Sequence, residues 1–107
     1  MKILITGATG FIGGSLAKRL SNNGDYIIAV TGRSASINER FQAYPVEVIQ
    51  GDLADKALAE RATEGVDIII HCAGLAGTWG DYEDYYRANV QVTHNLIVAA
   101  QKNKVKR

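Results

Sequence analysis

The chain has 107 residues, enough for one domain that buries roughly two-thirds of the surface its unfolded form exposes. Its 12 lysines and arginines nearly balance 11 acids, which excludes a broad polyanion-binding surface, so no nucleic-acid partner is expected. Cys72 is the single cysteine and cannot close an internal disulfide, and no apolar run is long enough for a signal peptide or a membrane span; a soluble cytoplasmic protein with no membrane partner is expected.

Lys2 to Thr6 is a short apolar run that reads as a strand. The turn after it, Gly7-Ala8-Thr9-Gly10-Phe11-Ile12-Gly13, carries glycines at three-residue intervals. From Phe11 to about Asn22 the apolar spacing becomes helical, with Ile12, Leu16 and Leu20 on one stripe. Strand, glycine turn and helix form the context in which such glycines mark a phosphate site. Gly7 allows the tight turn, Gly10 lets the backbone approach a pyrophosphate, and Gly13 with Gly14 beside it packs the helix closely on the sheet. The unpaired N–H groups of the first helical turn, at the positive end of the helix dipole, then face the phosphates. No Gly-Lys-Ser/Thr closes the turn, so a P-loop is excluded.

Asn22-Asn23-Gly24 stops that helix, and Tyr26 to Val30 follows as a strand apolar on both faces, as in a buried parallel sheet. Ser36-Ile37-Asn38-Glu39 has capping-box spacing and is expected to open a short helix carrying Ile37 and Phe41, ended before Pro45. Val46 to Gln50 reads as the third strand and leads into Gly51-Asp52-Leu53. A helix from about Asp55 to Thr63 turns Leu58 and Ala62 inward and ends at Gly65. Val66 to Cys72 is the fourth strand, Ala73 to Gly80 a glycine-rich loop, and Tyr82 to Gln101 a long final helix. The basic residues Lys102, Lys104, Lys106 and Arg107 after it suit a helix C-terminus.

Strands alternating with helices at these lengths give an α/β fold with a parallel sheet. Right-handed crossovers carry strands one to three in one direction and bring strand four back beside strand one. The expected architecture is the first half of a Rossmann-type doubly wound parallel sheet plus strand four, in the order 3-2-1-4. Its ligand crevice lies at the switch point, at the carboxyl ends of strands one and four. No fifth strand follows the last helix, which would leave strand four as a bare apolar edge. Residues 1–107 are therefore expected to be the N-terminal part of the NAD(P)-binding domain of a longer protein.

A dinucleotide site usually places an acid at the end of strand two to bind the adenosine ribose. Here Thr31-Gly32-Arg33-Ser34 stands in that place and holds no acid. A guanidinium at Arg33 suits a 2′-phosphate, so NADP is expected in preference to NAD. Asp52 is placed either to accept a hydrogen bond from the adenine amino group or to cap the next helix, and the sequence leaves both open.

The chain resembles the extended short-chain dehydrogenase/reductase family, also called the NAD-dependent epimerase/dehydratase family. The matching pieces are Thr6-Gly7-Ala8-Thr9-Gly10-Phe11-Ile12-Gly13, Gly51-Asp52-Leu53, His71-Cys72-Ala73-Gly74 and Asn89-Val90-Gln91-Val92-Thr93-His94-Asn95-Leu96, which together reach across residues 1–101. The stretch from Ala76 to Val90 further resembles the 3β-hydroxysteroid dehydrogenase-like branch, although the family usually has glycine where Val92 stands. The resemblance implies backbone contacts from Phe11 and Ile12 to pyrophosphate and from Asp52 and Leu53 to adenine. It places Ala73, Gly74 and Leu75 along the nicotinamide-side ribose and makes Asn89 a brace of the active site. It also implies a homodimer through the helix 82–101, whose Tyr86, Val90, Thr93, Ile97 and Ala100 form one stripe and Tyr85, Ala88, Val92, Leu96 and Ala99 another. The cofactor-binding set is thus Gly7, Thr9, Gly10, Phe11, Ile12, Gly13, Arg33, Ser34, Asp52, Leu53, Ala73, Gly74, Leu75 and Asn89.

The family's catalysis rests on a Tyr-x-x-x-Lys pair and an upstream Ser or Thr, and none of the five tyrosines here has a lysine four positions on. No catalytic residue is therefore expected within residues 1–107, and the segment by itself is expected to be inactive. His71 reads as a packed or hydrogen-bonded residue and Cys72 as buried and inert. With no second cysteine and no paired histidine, no metal site is expected. Trp79 with Tyr82, Tyr85 and Tyr86 suits either a substrate-pocket wall or core packing. The function expected is the cofactor-binding portion of an NAD(P)-dependent oxidoreductase, epimerase or dehydratase, passing hydride between nicotinamide and a small hydroxyl or keto substrate. The alternative is a non-catalytic Rossmann protein that senses nucleotide or acts as a scaffold.

Overall fold

The computed structural model describes residues 1–73 and 82–107. Gly74 and Leu75, with the rest of the loop through Asp81, lie outside the described residues, as does the side chain of Tyr85. The elements are β1 (Lys2–Thr6), α1 (Phe11–Ser21), β2 (Ile27–Gly32), α2 (Ser36–Arg40), β3 (Val46–Gln50), α3 (Lys56–Ala62), β4 (Ile68–His71), α4 (Tyr82–Tyr86) and α5 (Val92–Lys102), with a π-helical turn, Arg87–Gln91, joining the last two.

The four strands form one parallel sheet in the order β3-β2-β1-β4. Leu4 sits between Ala29 and Ile69, and Ile5 between Val30 and Ile70. Because side chains alternate along a strand, this register separates two cores. Ile3, Ile5, Ile28 and Val30 pack with Ala17, Ile37 and Phe41 on the α1–α2 side. Leu4 and Ala29 pack with Leu58, Ala62, Val92 and Leu96 on the α3–α5 side. Burial on both faces is why β1 and β2 read as unbroken apolar runs instead of alternating ones. Val105 joins the second core, and beyond it Ile69 N–H donates to Arg107 O at 2.6 Å while Arg107 N–H donates to Asp67 O at 3.2 Å. The chain thus begins a parallel pairing along β4, where the sequence reading leaves a bare edge.

Several local expectations need correction. Ile12 is 72% exposed, so the inward face of α1 is not the Ile12 stripe but Gly13, Gly14, Ala17 and Ser21, with Leu16 and Leu20 only partly buried. Small residues win because the helix lies so close to the glycine turn: a Cβ on Gly13 would come 2.5 Å from the Gly7 carbonyl oxygen. The capping box at Ser36 does not form. Ala35 occupies the cap position of α2, and Ser34 Oγ, one residue earlier, accepts the Ser36 N–H at 3.2 Å. Asp55 caps α3 by accepting the Ala57 N–H at 3.0 Å, which removes the capping alternative for Asp52. The long helix is interrupted at Arg87–Gln91, where Thr93 Oγ1 donates back to the Asn89 carbonyl at 2.9 Å. Such back-bonding bends helices, and π turns add a residue to the local turn.

Candidate functional site

The connections that follow all four strands meet at the carboxyl edge of the sheet and enclose a cavity. It is lined by Gly7, Thr9 and Gly10 after β1, by Thr31 to Arg33 after β2, by Gly51 to Leu53 after β3, and by Cys72 and Ala73 after β4. Arg87, Ala88 and Val92 close it from the long helix. Of the residues singled out from the sequence, Gly7, Thr9, Gly10, Arg33, Asp52, Leu53 and Ala73 share this cavity. Phe11 and Ile12 stand beside it in the first turn of α1, with side chains 88% and 72% exposed. Gly13 is buried beneath the glycine turn. Ser34 lies on the exposed α2 loop, its hydroxyl 2.9 Å from that of Ser36, and Asn89 is exposed on the π turn, its carbonyl taken by Thr93. Neither is part of the cavity wall.

The glycine turn explains how α1 can open onto the cavity. Gly7 has φ +68, and a Cβ there would lie 2.6 Å from the Ala73 nitrogen, so only glycine lets the turn pass under the end of β4. At Gly10 an added Cβ would meet only the Gly7 carbonyl oxygen, at 3.3 Å, which leaves a backbone approachable from the cavity. No side chain caps α1, and its first turn holds no acid. Unsatisfied N–H groups and the positive dipole end therefore favour an anion at this point.

At the far end of the cavity the charges are Arg33, Asp52 and Arg87. Asp52 Oδ1 accepts the Ala54 N–H at 2.9 Å, and Asp52 Oδ2 accepts from Arg87 Nε at 3.1 Å. Burial by itself would raise the Asp52 pKa, but the Ala54 N–H, the Arg87 hydrogen bond and charge, and the charge of Arg33 together hold it below its ordinary value. The carboxylate is thus ionised at neutral pH and flanked by two guanidinium groups. Thr31 is buried along the same wall, and among the described residues its hydroxyl has no hydrogen-bond partner.

A second polar array lies under the β4 end of the cavity. Thr6 Oγ1 is 2.7 Å from His71 Nδ1, His71 Nε2 is 3.1 Å from Thr93 Oγ1, and Ala73 N–H donates to Thr6 Oγ1 at 3.1 Å. Counting protons fixes the tautomer. Thr93 spends its single hydroxyl proton on the Asn89 carbonyl, so it accepts from His71 Nε2–H. His71 Nδ1 is then the acceptor of the Thr6 hydroxyl proton, which frees the Thr6 oxygen to accept from Ala73. Every donor meets an acceptor only if the ring is neutral, in accord with burial holding the His71 pKa below its ordinary value. His71 is therefore hydrogen-bonded, as its position suggests, and it ties β1 and β4 to Thr93 in the first turn of α5. Cys72 departs from expectation: it is half-buried and lines the cavity.

Arg87, Thr31, Thr6 and Thr93 were not identified as site residues in the sequence. Arg87 had one usable signal, a lone cation just before the Ala88-Asn89-Val90 stretch. The others sit in apolar strands or helices where a threonine carries no functional mark.

Fold and site together define a Rossmann-type α/β protein with an anion-favouring glycine turn at its switch point. The chain belongs to the NAD dependent epimerase/dehydratase family, whose model matches residues 3–107. It is 38% identical over 107 residues to a 2-alkyl-3-oxoalkanoate reductase of Stenotrophomonas maltophilia, matching 100% of this chain and 32% of that protein. It is 33% identical over 114 residues to a 3 beta-hydroxysteroid dehydrogenase/Delta 5-->4-isomerase of Mycobacterium tuberculosis, matching 99% of this chain and 30% of that one. Among solved structures, a UDP-glucuronic acid 4-epimerase from Bacillus cereus in complex with NAD superposes with a TM-score of 0.83 at 28% identity, covering 99% of this chain and 37% of that one. The chain spans about a quarter to a third of the length of the curated relatives it matches. Among the described residues, no helix is long and apolar enough to cross a membrane.

Proposed function

We propose that residues 1–107 are one NAD(P)-binding unit of an oxidoreductase, epimerase or dehydratase that acts on a small hydroxyl or keto compound. The observation that carries the reading is the uncapped, acid-free start of α1 opening, through Gly7 and Gly10, onto a cavity that runs to Arg33 and Asp52. Gly10, Phe11 and Ile12 hold the pyrophosphate, with Thr9 beside them and Gly13 seating the helix closely beneath. Asp52 and Leu53 hold the adenine, Ala73, Gly74 and Leu75 line the nicotinamide-side ribose, and Asn89 braces the active site. The bound nicotinamide supplies the hydride carrier. The chain's own part is to bind and orient it, because no tyrosine in these residues is followed four positions on by lysine.

NADP is the preferred cofactor in this reading. Arg33 is exposed at the end of β2, where no acid stands to repel a 2′-phosphate. A charge-assisted bond of this kind contributes about 1.5–3 kcal/mol, roughly ten- to a hundredfold in affinity. The test is titration with NADPH and NADH at fixed salt, for the parent chain and for Arg33→Ala. NADPH should bind at least about tenfold more tightly, and Arg33→Ala should remove that difference. Equal affinities in the parent chain would contradict the preference.

A homodimer through the long helix completes the reading. Its inward face, Ala88, Val92, Leu96 and Ala99, is buried in the chain's own core, while Tyr86, Val90 and Ile97 remain 46%, 49% and 55% exposed on the outer face. Apolar residues grouped on one outer face suit a second copy of the same helix.

A further inference from the structure

We infer that Arg87 is the positioning residue that fixes Asp52 as an acceptor-only reader of the nucleobase, so that the cavity prefers a base bearing an exocyclic amino group to one bearing a carbonyl there. The inference rests on the dinucleotide reading above and adds to it a residue from a different element. An ionised carboxylate offers about four acceptor positions and no donor. At Asp52 two are taken: Oδ1 by the Ala54 N–H within its own turn, and Oδ2 by Arg87 Nε across the cavity. These two bonds come from different directions, one from the β3–α3 connection and one from the π turn. Together they stop the carboxylate from rotating and leave its remaining lone pairs for the cavity, where the Asp52 side chain keeps 32% of its surface accessible.

The π turn is what lets Arg87 do this. Arg87 and Ala88 enter the cavity wall from the widened turn, while Val92 and Leu96 keep the regular helix seated on the core. Arg33 acts on Asp52 through its charge, and no hydrogen bond joins the two, so Arg87 alone among the described cations sets the carboxylate's direction. An acceptor fixed in this way forms a bond with an amino group and meets a carbonyl oxygen with unpaired lone pairs on both sides, which penalises the wrong base. The pair is also too exposed, at 55% and 32%, to contribute much to stability. Its loss therefore reads out in specificity and not in folding.

The experiment compares binding of NAD and of nicotinamide hypoxanthine dinucleotide, which carries a carbonyl in place of the adenine amino group. Parent chain, Arg87→Ala and Asp52→Asn are titrated at one pH and salt, with thermal midpoints recorded alongside. The parent should prefer the amino dinucleotide by about tenfold. Arg87→Ala should cut that ratio to about threefold or less with its midpoint nearly unchanged, and Asp52→Asn should bring it near one. If Arg87→Ala keeps the ratio, or weakens both dinucleotides equally, the positioning role is overturned while the dinucleotide site stands. If the parent binds both equally, Asp52 does not read the base. If the folded parent binds neither, the dinucleotide reading itself falls, and this inference with it.

Discussion

Replacing Thr6 by valine tests the polar array beneath the cavity. Valine keeps the shape of the side chain, so no cavity opens. It removes the acceptor of the Ala73 N–H and the donor to His71 Nδ1, at 3.1 and 2.7 Å. Thr6 is 0% exposed, so water cannot take the place of its hydroxyl. Two such bonds contribute about 1–3 kcal/mol together, and His71, exposed along one side, recovers part of its share from solvent. The expected loss is about 2 kcal/mol, or a fall in thermal midpoint of roughly 8–16 °C for a domain of this size.

The same substitution has a signature in pH. Burial holds the His71 pKa below its ordinary 6.5, so as pH falls the unfolded chain takes up this proton before the folded one does. The stability contributed by the neutral ring is fully present above about pH 6.5 and declines as pH drops below it. In Thr6→Val the ring stays as buried as before, so the acid-side decline persists while stability is lower at every pH. Urea denaturation between pH 5 and 8, with an NMR titration of the His71 ring, measures both effects. A variant within about 0.5 kcal/mol of the parent across that range would refute the hydrogen-bond assignment.

Thr31→Val is expected to act in the opposite direction. It removes a buried hydroxyl that has no partner among the described residues, and stability in the absence of nucleotide should rise by roughly 1 kcal/mol by urea denaturation. A loss of similar size would mean that the hydroxyl is satisfied. On the outer face of the long helix, Val90→Lys with Ile97→Lys should halve the mass found by sedimentation equilibrium. A parent chain that is monomeric at every concentration tested would contradict the dimer.

The strand order was legible because element lengths and crossover handedness admit few alternatives. The glycine turn was legible because its spacing, its strand and its helix are contiguous. What the sequence did not reveal were contacts between residues distant along the chain. Thr6 and His71 are 65 residues apart, and Asp52 and Arg87 are 35 apart, so no local periodicity links either pair. The π turn was hidden for a related reason: the stripe Ala88, Val92, Leu96, Ala99 fits an unbroken helix equally well. Ile12 departs from its stripe because the close approach of α1 to the glycine turn puts Gly13, Gly14 and Ala17 on the inward face, with Leu16 and Leu20 packing at its flank.

On this reading the cavity at the carboxyl edge binds a dinucleotide with its pyrophosphate on the first turn of α1. Backbone amide shifts recorded while NADPH is added test it most directly. Gly10, Phe11, Ile12 and Gly13 should move together, with Arg33, Asp52 and Leu53 moving at the same nucleotide concentrations. A folded chain whose α1 amides stay in place, or whose shifts gather instead between α3 and α5 around His94 and Lys56, would contradict it.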